Sequence, residues 1–375
     1  MTKKVLFVAS VKEHLISFHI PYMKWFKEQG FEVHATARND DGNEILEACD
    51  KFIEIPFCRS PFKLDNIKVY KLLKELLYQE QYNIVHCHTP MAAALCRLAA
   101  KGLRKDGMKV IYTAHGYHFF KGAPAMGWLL YYPVEKFLSA YTDILITINK
   151  EDYDNTISHK FKCGKVFLVP GVGVDTSKVI VSTPEIKHKL RKKYGYADTD
   201  FLLFYAAEFI PRKNQELIIR QIPNLIKSIP NLKVLLAGKG VLLDAMKKLT
   251  KDLNVDDYVD FLGYRTDVHS LVAMSDVGVS SSRQEGLGIT VAEDMFAGLP
   301  VVVSIDRGHK EMVHDGENGF FFDIKNPKQF SEKILQLYHT PELLHKMGVN
   351  AKTTIQTFSV ENALKAHSQI YKTII

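Results

Sequence analysis

Glu285 and Glu293 stand eight positions apart in EGLGITVAE, where Gly286 and Gly288 introduce an apolar helical pattern over residues 288–298. Gly298 closes that pattern and Pro300 follows it, the usual chemistry of a helix end. If all eight steps were helical, the carboxylates would lie about 12 Å apart at about 1.5 Å per residue. That is too far for an acid and a base acting on one bond. It suits an extended ligand of nucleotide-sugar length, with hydroxyls at both ends and a diphosphate between them, because a helix N-terminus presents unpaired N–H groups to an anion. The alternative has Glu285 capping the helix and Glu293 in solvent.

Other chemistry-bearing residues also fall where a strand-like run gives way to a helix. Arg212 and Lys213 follow FLLFYAA, and Gly238-Lys239-Gly240 follows KVLLA. The latter imitates a dinucleotide fingerprint but has Leu243 at the third glycine position. Thr113-Ala114-His115-Gly116-Tyr117-His118 places two histidines in a glycine-containing loop after VIYTA. His86, Cys87 and His88 look like zinc ligands, but strand alternation is expected to point them to opposite faces, so no metal is expected there. Asp198-Thr199-Asp200 reads as a turn before a buried strand rather than a metal motif.

Thirteen short apolar runs must position these residues. KVLFVA, FEVHATA, FIEIPF, NIVHCH, KVIYTA, DILITI and KVFLVP occupy the first 170 residues, and FLLFYAA, KVLLAG, YVDFLG, DVGVSS, PVVVS and GFFF follow. Amphipathic segments separate most of them, which predicts parallel sheets covered on both faces. The fold class is therefore α/β: two doubly wound, Rossmann-like domains facing across a cleft. The expected limits are 1–170 for an acceptor-binding domain, 171–358 for a nucleotide-sugar-binding domain, and 359–375 for a helix returning to the first domain. The 375 residues are 46% hydrophobic, enough for two cores. Five scattered cysteines without CxxC spacing point to free thiols in a reducing cytoplasm. MTKKVLFVAS lacks the features of a secretory signal and reads as a first strand.

The run EGLGITVAEDMFAGLPVVV resembles the EX7E motif of retaining family 4 glycosyltransferases of the GT-B fold, departing mainly by Asp294 in place of alanine. DGENGFFF is similar to the family's D-G-x-N-G turn, and FLVPGVGVD to its interdomain P-N-G-V-D segment. YNIVHCHTP, VIYTAHGYHF and ILITINKEDY look like the subgroup that builds capsular polysaccharide, exopolysaccharide and O-antigen. The resemblance implies that Glu293 binds ribose hydroxyls, that Glu285 lies by the donor sugar and diphosphate, and that the amides of Leu287, Gly288 and Ile289 face the phosphates. Lys213 matches the lysine that holds the diphosphate. Glu208 stands where the family's arginine is expected, leaving Arg212 as its substitute. Gly238 falls at a glycine turn near the nucleotide, and Gly263, Tyr264 and Arg265 where backbone groups read the base. His115 matches a histidine near donor sugar and acceptor, where it could orient a hydroxyl or share charge near neutral pH. His14, His19, His88 and His118 are candidates for the acceptor side. His14 follows the first strand at Ser10-Val11-Lys12, where relatives have a diglycine.

The implied activity is retaining transfer of a hexose or N-acetylhexosamine, with UDP as the expected carrier, to a lipid-diphosphate-linked saccharide, without cofactor or metal. The formal net charge is +7, and residues 56–130 hold eleven Lys and Arg, among them Arg59, against four Asp and Glu. That surplus fits a nucleic acid, an anionic membrane surface or an anionic substrate, or else solvated helix faces; the resemblance implies the cytoplasmic face of the plasma membrane. The stretch from Ser60-Pro61-Phe62-Lys63 to Leu77 combines Leu64, Ile67, Leu72, Leu73 and Leu76 with Lys68, Lys71 and Lys74. It is compatible with an interfacial helix or with ordinary core packing. Nucleic-acid binding lacks interleaved stacking aromatics. An NAD-dependent oxidoreductase lacks the glycine fingerprint at an early strand. A GT-B nucleotide-sugar epimerase, needing no acceptor, is the nearer alternative.

Overall fold

The computed structural model describes residues 2–40, 48–58, 60 and 62–375; Arg59 and Pro61 lie outside the described residues. The chain divides into two compact units, one formed by Met1–Gly173 with Val360–Ile375 and the other by Val174–Ser359.

The first unit is built on seven parallel strands: β1 (Lys4–Val11), β2 (Glu32–Arg38), β3 (Lys51–Glu54), β4 (Ile84–Cys87), β5 (Lys109–Ala114), β6 (Ile144–Thr147) and β7 (Lys165–Leu168). Their order is β3-β2-β1-β4-β5-β6-β7, so strand order reverses between β1 and β4. Helices cover both faces, which is why the central strands are apolar along nearly their whole length: Val5 to Ala9 are fully buried. The helix Val360–Tyr371 belongs to this unit. Its Tyr371 is fully buried, with ring centroids 4.8 Å from Phe26 and 5.4 Å from Trp25.

The second unit repeats the plan with β8 (Phe201–Ala206), β9 (Leu232–Ala237), β10 (Val259–Gly263), β11 (Val277–Ser280), β12 (Val301–Ser304) and β13 (Gly319–Phe322). All pairings are parallel in the order β10-β9-β8-β11-β12-β13, and the reversal falls between β8 and β11. All thirteen apolar runs are strands. The EGLGITVAE helix is shorter than its apolar pattern, spanning Ile289–Phe296 with Gly288 as N-cap at φ 94°. The eight steps from Glu285 to Glu293 are therefore part loop and part helix, and the all-helical 12 Å spacing does not apply.

The helix Asp65–Glu80 divides the apolar stretch expected at an interface. Leu73, Leu76 and Leu77 enter the core of the first unit, whereas Phe62, Leu64 and Ile67 are 78%, 81% and 59% exposed. The basic surplus is likewise not all surface. Arg97 is fully buried, its Nη2 2.9 Å from Glu135 Oε2 and its guanidinium 4.0 Å from the Tyr112 ring centroid. Tyr112 OH donates to the other Glu135 oxygen at 3.2 Å. Removing one member of a buried pair strands the other charge, so Arg97→Met is expected to destabilise the fold by about 3–5 kcal/mol in denaturant unfolding. Adding Glu135→Leu should recover much of that loss; equal stability of wild type and Arg97→Met would contradict this reading of the pair.

Candidate active site

In the second unit, the carboxyl ends of β8 and β11 bring together most of the residues singled out by sequence. Residues 207–214 leave β8 and turn into the helix Gln215–Leu225, while residues 281–288 leave β11. The two loops are tied by Tyr205 OH, 2.9 Å from both Lys213 O and Ser282 Oγ, and by Arg283 N donating to Arg212 O at 2.8 Å. Lys213 Nζ then lies 2.5 Å from Glu285 Oε1, and Arg212 Nη1 donates to Glu285 Oε2 at 3.2 Å and to Gln284 O at 2.8 Å. Burial of the Glu285 carboxyl acts to raise its pKa, but Lys213, Arg212 and His309 outweigh it and hold the group at about 2. The site thus carries a fixed carboxylate between two cations, with a surplus of positive charge. Glu208 is exposed.

The amides of Leu287, Gly288 and Ile289 donate to no protein acceptor among the described residues, as expected for a first helical turn. Gly288 has a second reason to lack a side chain: a Cβ there would sit 3.1 Å from the His309 ring. Glu293 lies one turn into the helix, partly buried, and its carboxyl has no hydrogen-bond partner among the described residues. Burial pushes its pKa up to about 7, against the pull of Lys178.

A cavity of about 300 Å³ opens at the ends of β8, β9 and β10, lined by Ala206, Gly238, Lys239, Tyr264, Arg265 and Val268 among others. Gly238 and Gly240 are required by close approach to the backbone of residues 207–209, into which any Cβ would collide. Gly263 takes φ 68° and its carbonyl accepts from Gly238 N at 2.7 Å, so the two turns that edge the cavity brace each other. The Arg265 guanidinium is held by Asp267 at 2.6 Å, leaving its backbone and aliphatic stem to the cavity.

In the first unit, a second cavity of about 290 Å³ lies at the ends of β1, β4 and β5, lined by Ser10, Val11, His14, Thr89, Pro90, Met91, His118 and Tyr131. The helix Lys12–Phe18 starts directly after β1, and Ser10 takes the place of a glycine turn: its N and Oγ bond Thr89 Oγ1 at 2.9 and 2.8 Å. Thr89 is thereby held at φ 61°, a conformation threonine rarely adopts. His118 stacks on Tyr131 with centroids 4.4 Å apart. His19, His88 and His115 group with His14. His19 stacks on His88 at 3.6 Å, and His115 Nε2 lies 3.3 Å from His88 Nδ1.

Two expectations are corrected here. His86 and His88 do not point to opposite faces: residues two apart share a strand face, and their rings lie 4.1 Å from each other. Cys87 alone turns away, with Sγ 3.2 Å from Ile111 O. His115 is held neutral, since burial first and the neighbouring histidines second lower its pKa well below the ordinary value. It can orient a hydroxyl but does not share positive charge near neutrality.

Comparison with known proteins decides the family. Residues 22–178 match the Glycosyltransferase Family 4 profile and residues 186–354 match Glycosyl transferases group 1. A protein of Bacillus subtilis (strain 168) named as a glycosyltransferase, EpsD, is 44% identical over 371 residues, covering 99% of this chain and 97% of its own. The chain belongs to the family 4 glycosyltransferases. The UDP-Gal:alpha-D-GlcNAc-diphosphoundecaprenol alpha-1,3-galactosyltransferase of Escherichia coli is 27% identical over 305 residues, 80% of this chain and 77% of that one. Anabaena Alr3699/HepE, solved with UDP and glucose, superposes with a TM-score of 0.81 at 17% identity over all of both chains. WaaG, a glycosyltransferase involved in lipopolysaccharide biosynthesis, does so at 0.77 and 18% over 98% of this chain and 99% of that one. These structures establish the GT-B fold.

Within this enzyme, sequence reasoning missed the loop after β12. Asp306 Oδ1 accepts from Glu285 N at 3.0 Å, and Arg307 Nε donates to Glu285 O at 3.3 Å. His309 Nδ1 donates to Ser304 O at 2.9 Å, leaving its buried Nε2 beside Gly288 without a partner among the described residues. The strand-end criterion, applied to β12, finds all three. The departure from the family motif also has a local explanation. Asp294 is buried against Gly278, whose missing side chain makes room for the carboxyl. Burial, and then the charge of Glu293, push the Asp294 pKa well above the ordinary carboxylate range. The unfolded chain ionises there near pH 4 and the fold does not. The contribution of Asp294 to stability is thus fully present below about pH 4 and declines as pH rises. Denaturant unfolding should show wild type losing ground to Asp294→Ala between pH 4 and 7; a pH-independent gap would contradict the protonated state.

Proposed function

We propose that this glycosyltransferase moves a hexose or N-acetylhexosamine from a UDP-linked donor to a lipid-diphosphate-linked saccharide, with retention at the anomeric carbon, in surface polysaccharide synthesis. The observation that carries the reading is the cation pair Lys213 and Arg212 fixed on ionised Glu285 beside the undonated amides of Leu287, Gly288 and Ile289. That arrangement offers preorganised positive charge to a diphosphate, and its value is greatest as the leaving group gains charge in the transition state. The cavity edged by Gly238, Gly263, Tyr264 and Arg265 is of a size for the base. Glu293, short of partners in the free enzyme, would take the ribose hydroxyls. On the first unit, His14 and His118 line the cavity read as the acceptor side, with His115, His19 and His88 in the adjoining cluster. The lipid-linked acceptor is supported by the activity for which the E. coli relative is named, and the polysaccharide role by the likeness to EpsD.

No described carboxylate is read as a covalent nucleophile. The anomeric carbon–oxygen bond to the diphosphate breaks while the acceptor oxygen bonds to the same face of that carbon. The acceptor proton passes to the departing β-phosphate oxygen, and Lys213 with the three amides stabilises the charge left there.

Peripheral attachment to an anionic membrane fits the exposed Phe62, Leu64 and Ile67 among Lys63, Lys68 and Lys71; no helix of the described residues is long and apolar enough to cross a bilayer.

Four measurements test the reading. Lys213→Ala should lower kcat by about 10²–10³-fold, whereas Glu293→Ala should chiefly weaken nucleotide binding in calorimetry; negligible effects of both would remove the site. NMR of the product from an α-linked donor should show an α linkage, and a β linkage would overturn same-face displacement. Release of an epimerised sugar without acceptor would favour an epimerase. Liposome co-sedimentation should rise with anionic lipid and fall in Phe62→Ser/Leu64→Ser; binding indifferent to lipid charge would refute attachment.

A further inference from the structure

His14, His19, His88 and His115 each offer one ring nitrogen, and these four atoms lie within 4.8 Å of one another. The residues come from three strand ends. His14 lies in the first turn of the helix that follows β1 and His19 caps its end, His88 follows β4, and His115 follows β5. This is the point where strand order reverses in the first sheet, the place where open α/β sheets bind ligands. A tetrahedral ion with bonds of about 2.0–2.1 Å holds its ligand nitrogens about 3.3 Å apart. His88 Nδ1 and His115 Nε2 lie 3.3 Å apart, already at that spacing.

The second observation concerns His19, which is 1% exposed and has neither ring nitrogen hydrogen-bonded among the described residues. A neutral imidazole always carries one N–H and one lone pair, so His19 alone leaves a donor and an acceptor buried, and such groups call for an ion or water. His86 stands apart: its nitrogens meet Thr113 Oγ1 at 2.9 Å and Tyr371 OH at 3.3 Å.

We infer that these four histidines form a binding site for a divalent transition metal of the zinc type. All-imidazole ligation suits zinc, cobalt and copper rather than magnesium or calcium. No sequence spacing announces the site, because its ligands meet only through the sheet. The inference is independent of the donor chemistry assigned to the second unit.

Co²⁺ titration of chelator-treated full-length protein tests it. One equivalent should bind with the intense visible bands of tetrahedral cobalt, be displaced by Zn²⁺, and raise Tm. His19→Ala and His88→Ala should each lose that equivalent, while His314→Ala and His345→Ala, at exposed positions, keep it. Cobalt binding that survives both His19→Ala and His88→Ala, or no binding to wild type, would overturn the site. X-ray absorption of zinc-loaded wild type needs no variant to fold. It should show a nitrogen-only shell with imidazole scattering, and a shell containing sulfur, or mostly oxygen, would equally refute the assignment.

Discussion

The second unit is organised around a carboxylate that must stay ionised while buried. Glu285 is 8% exposed, and an isolated charge at that depth would take up a proton. Lys213 and Arg212 prevent this, and in doing so the carboxylate fixes both cations at the mouth of a helix whose first amides are undonated. The surrounding loops serve that constraint. Tyr205 and Ser281 anchor the Lys213 backbone, and Asp306 and Arg307 grip the Glu285 backbone from the end of the next strand. A rigid cluster of this kind needs little reorganisation when an anion arrives, which is the property that stabilises a departing diphosphate.

The two units solve one topological problem twice and fill the answer differently. Each sheet reverses strand order beside its first strand, leaving a hollow at the carboxyl ends. In the second unit a cavity at the ends of β8, β9 and β10 is edged by glycines that let the chain approach itself closely, and the Lys213, Arg212 and Glu285 cluster stands at the ends of β8 and β11. In the first the hollow is lined by histidines, with Ser10 and Thr89 bonded where a glycine turn would otherwise stand. The family assignment explains the shared plan; the residues at the strand ends set what each unit can hold.

Much of this was legible in the sequence, for physical reasons that differ by feature. The strands were readable because parallel strands buried on both faces are nearly uniform apolar runs, as in VLFVA and VVV. Lys213, Glu285 and Glu293 were readable because strand ends and glycines bracket them. What escaped depends on contacts remote in sequence. Asp306 and Arg307 act on Glu285 across about twenty positions, and Arg97, counted as surface charge, finds Glu135 through the fold. The histidine cluster was hidden for the same reason: His14 and His115 are about a hundred residues apart and meet edge to face at 4.6 Å. The surface stripe of residues 62–77 was ambiguous because periodicity alone does not tell a core-facing leucine such as Leu73 from an exposed Leu64.

The central claim is that the clamped carboxylate and its cations hold a diphosphate. It is tested most directly by comparing uridine, UMP and UDP in calorimetry against wild type and Lys213→Met. The account predicts that affinity rises steeply with each phosphate in wild type and that most of the rise disappears in the variant, with uridine binding unchanged. Equal affinities for uridine and UDP in wild type, or a phosphate increment untouched by Lys213→Met, would contradict it.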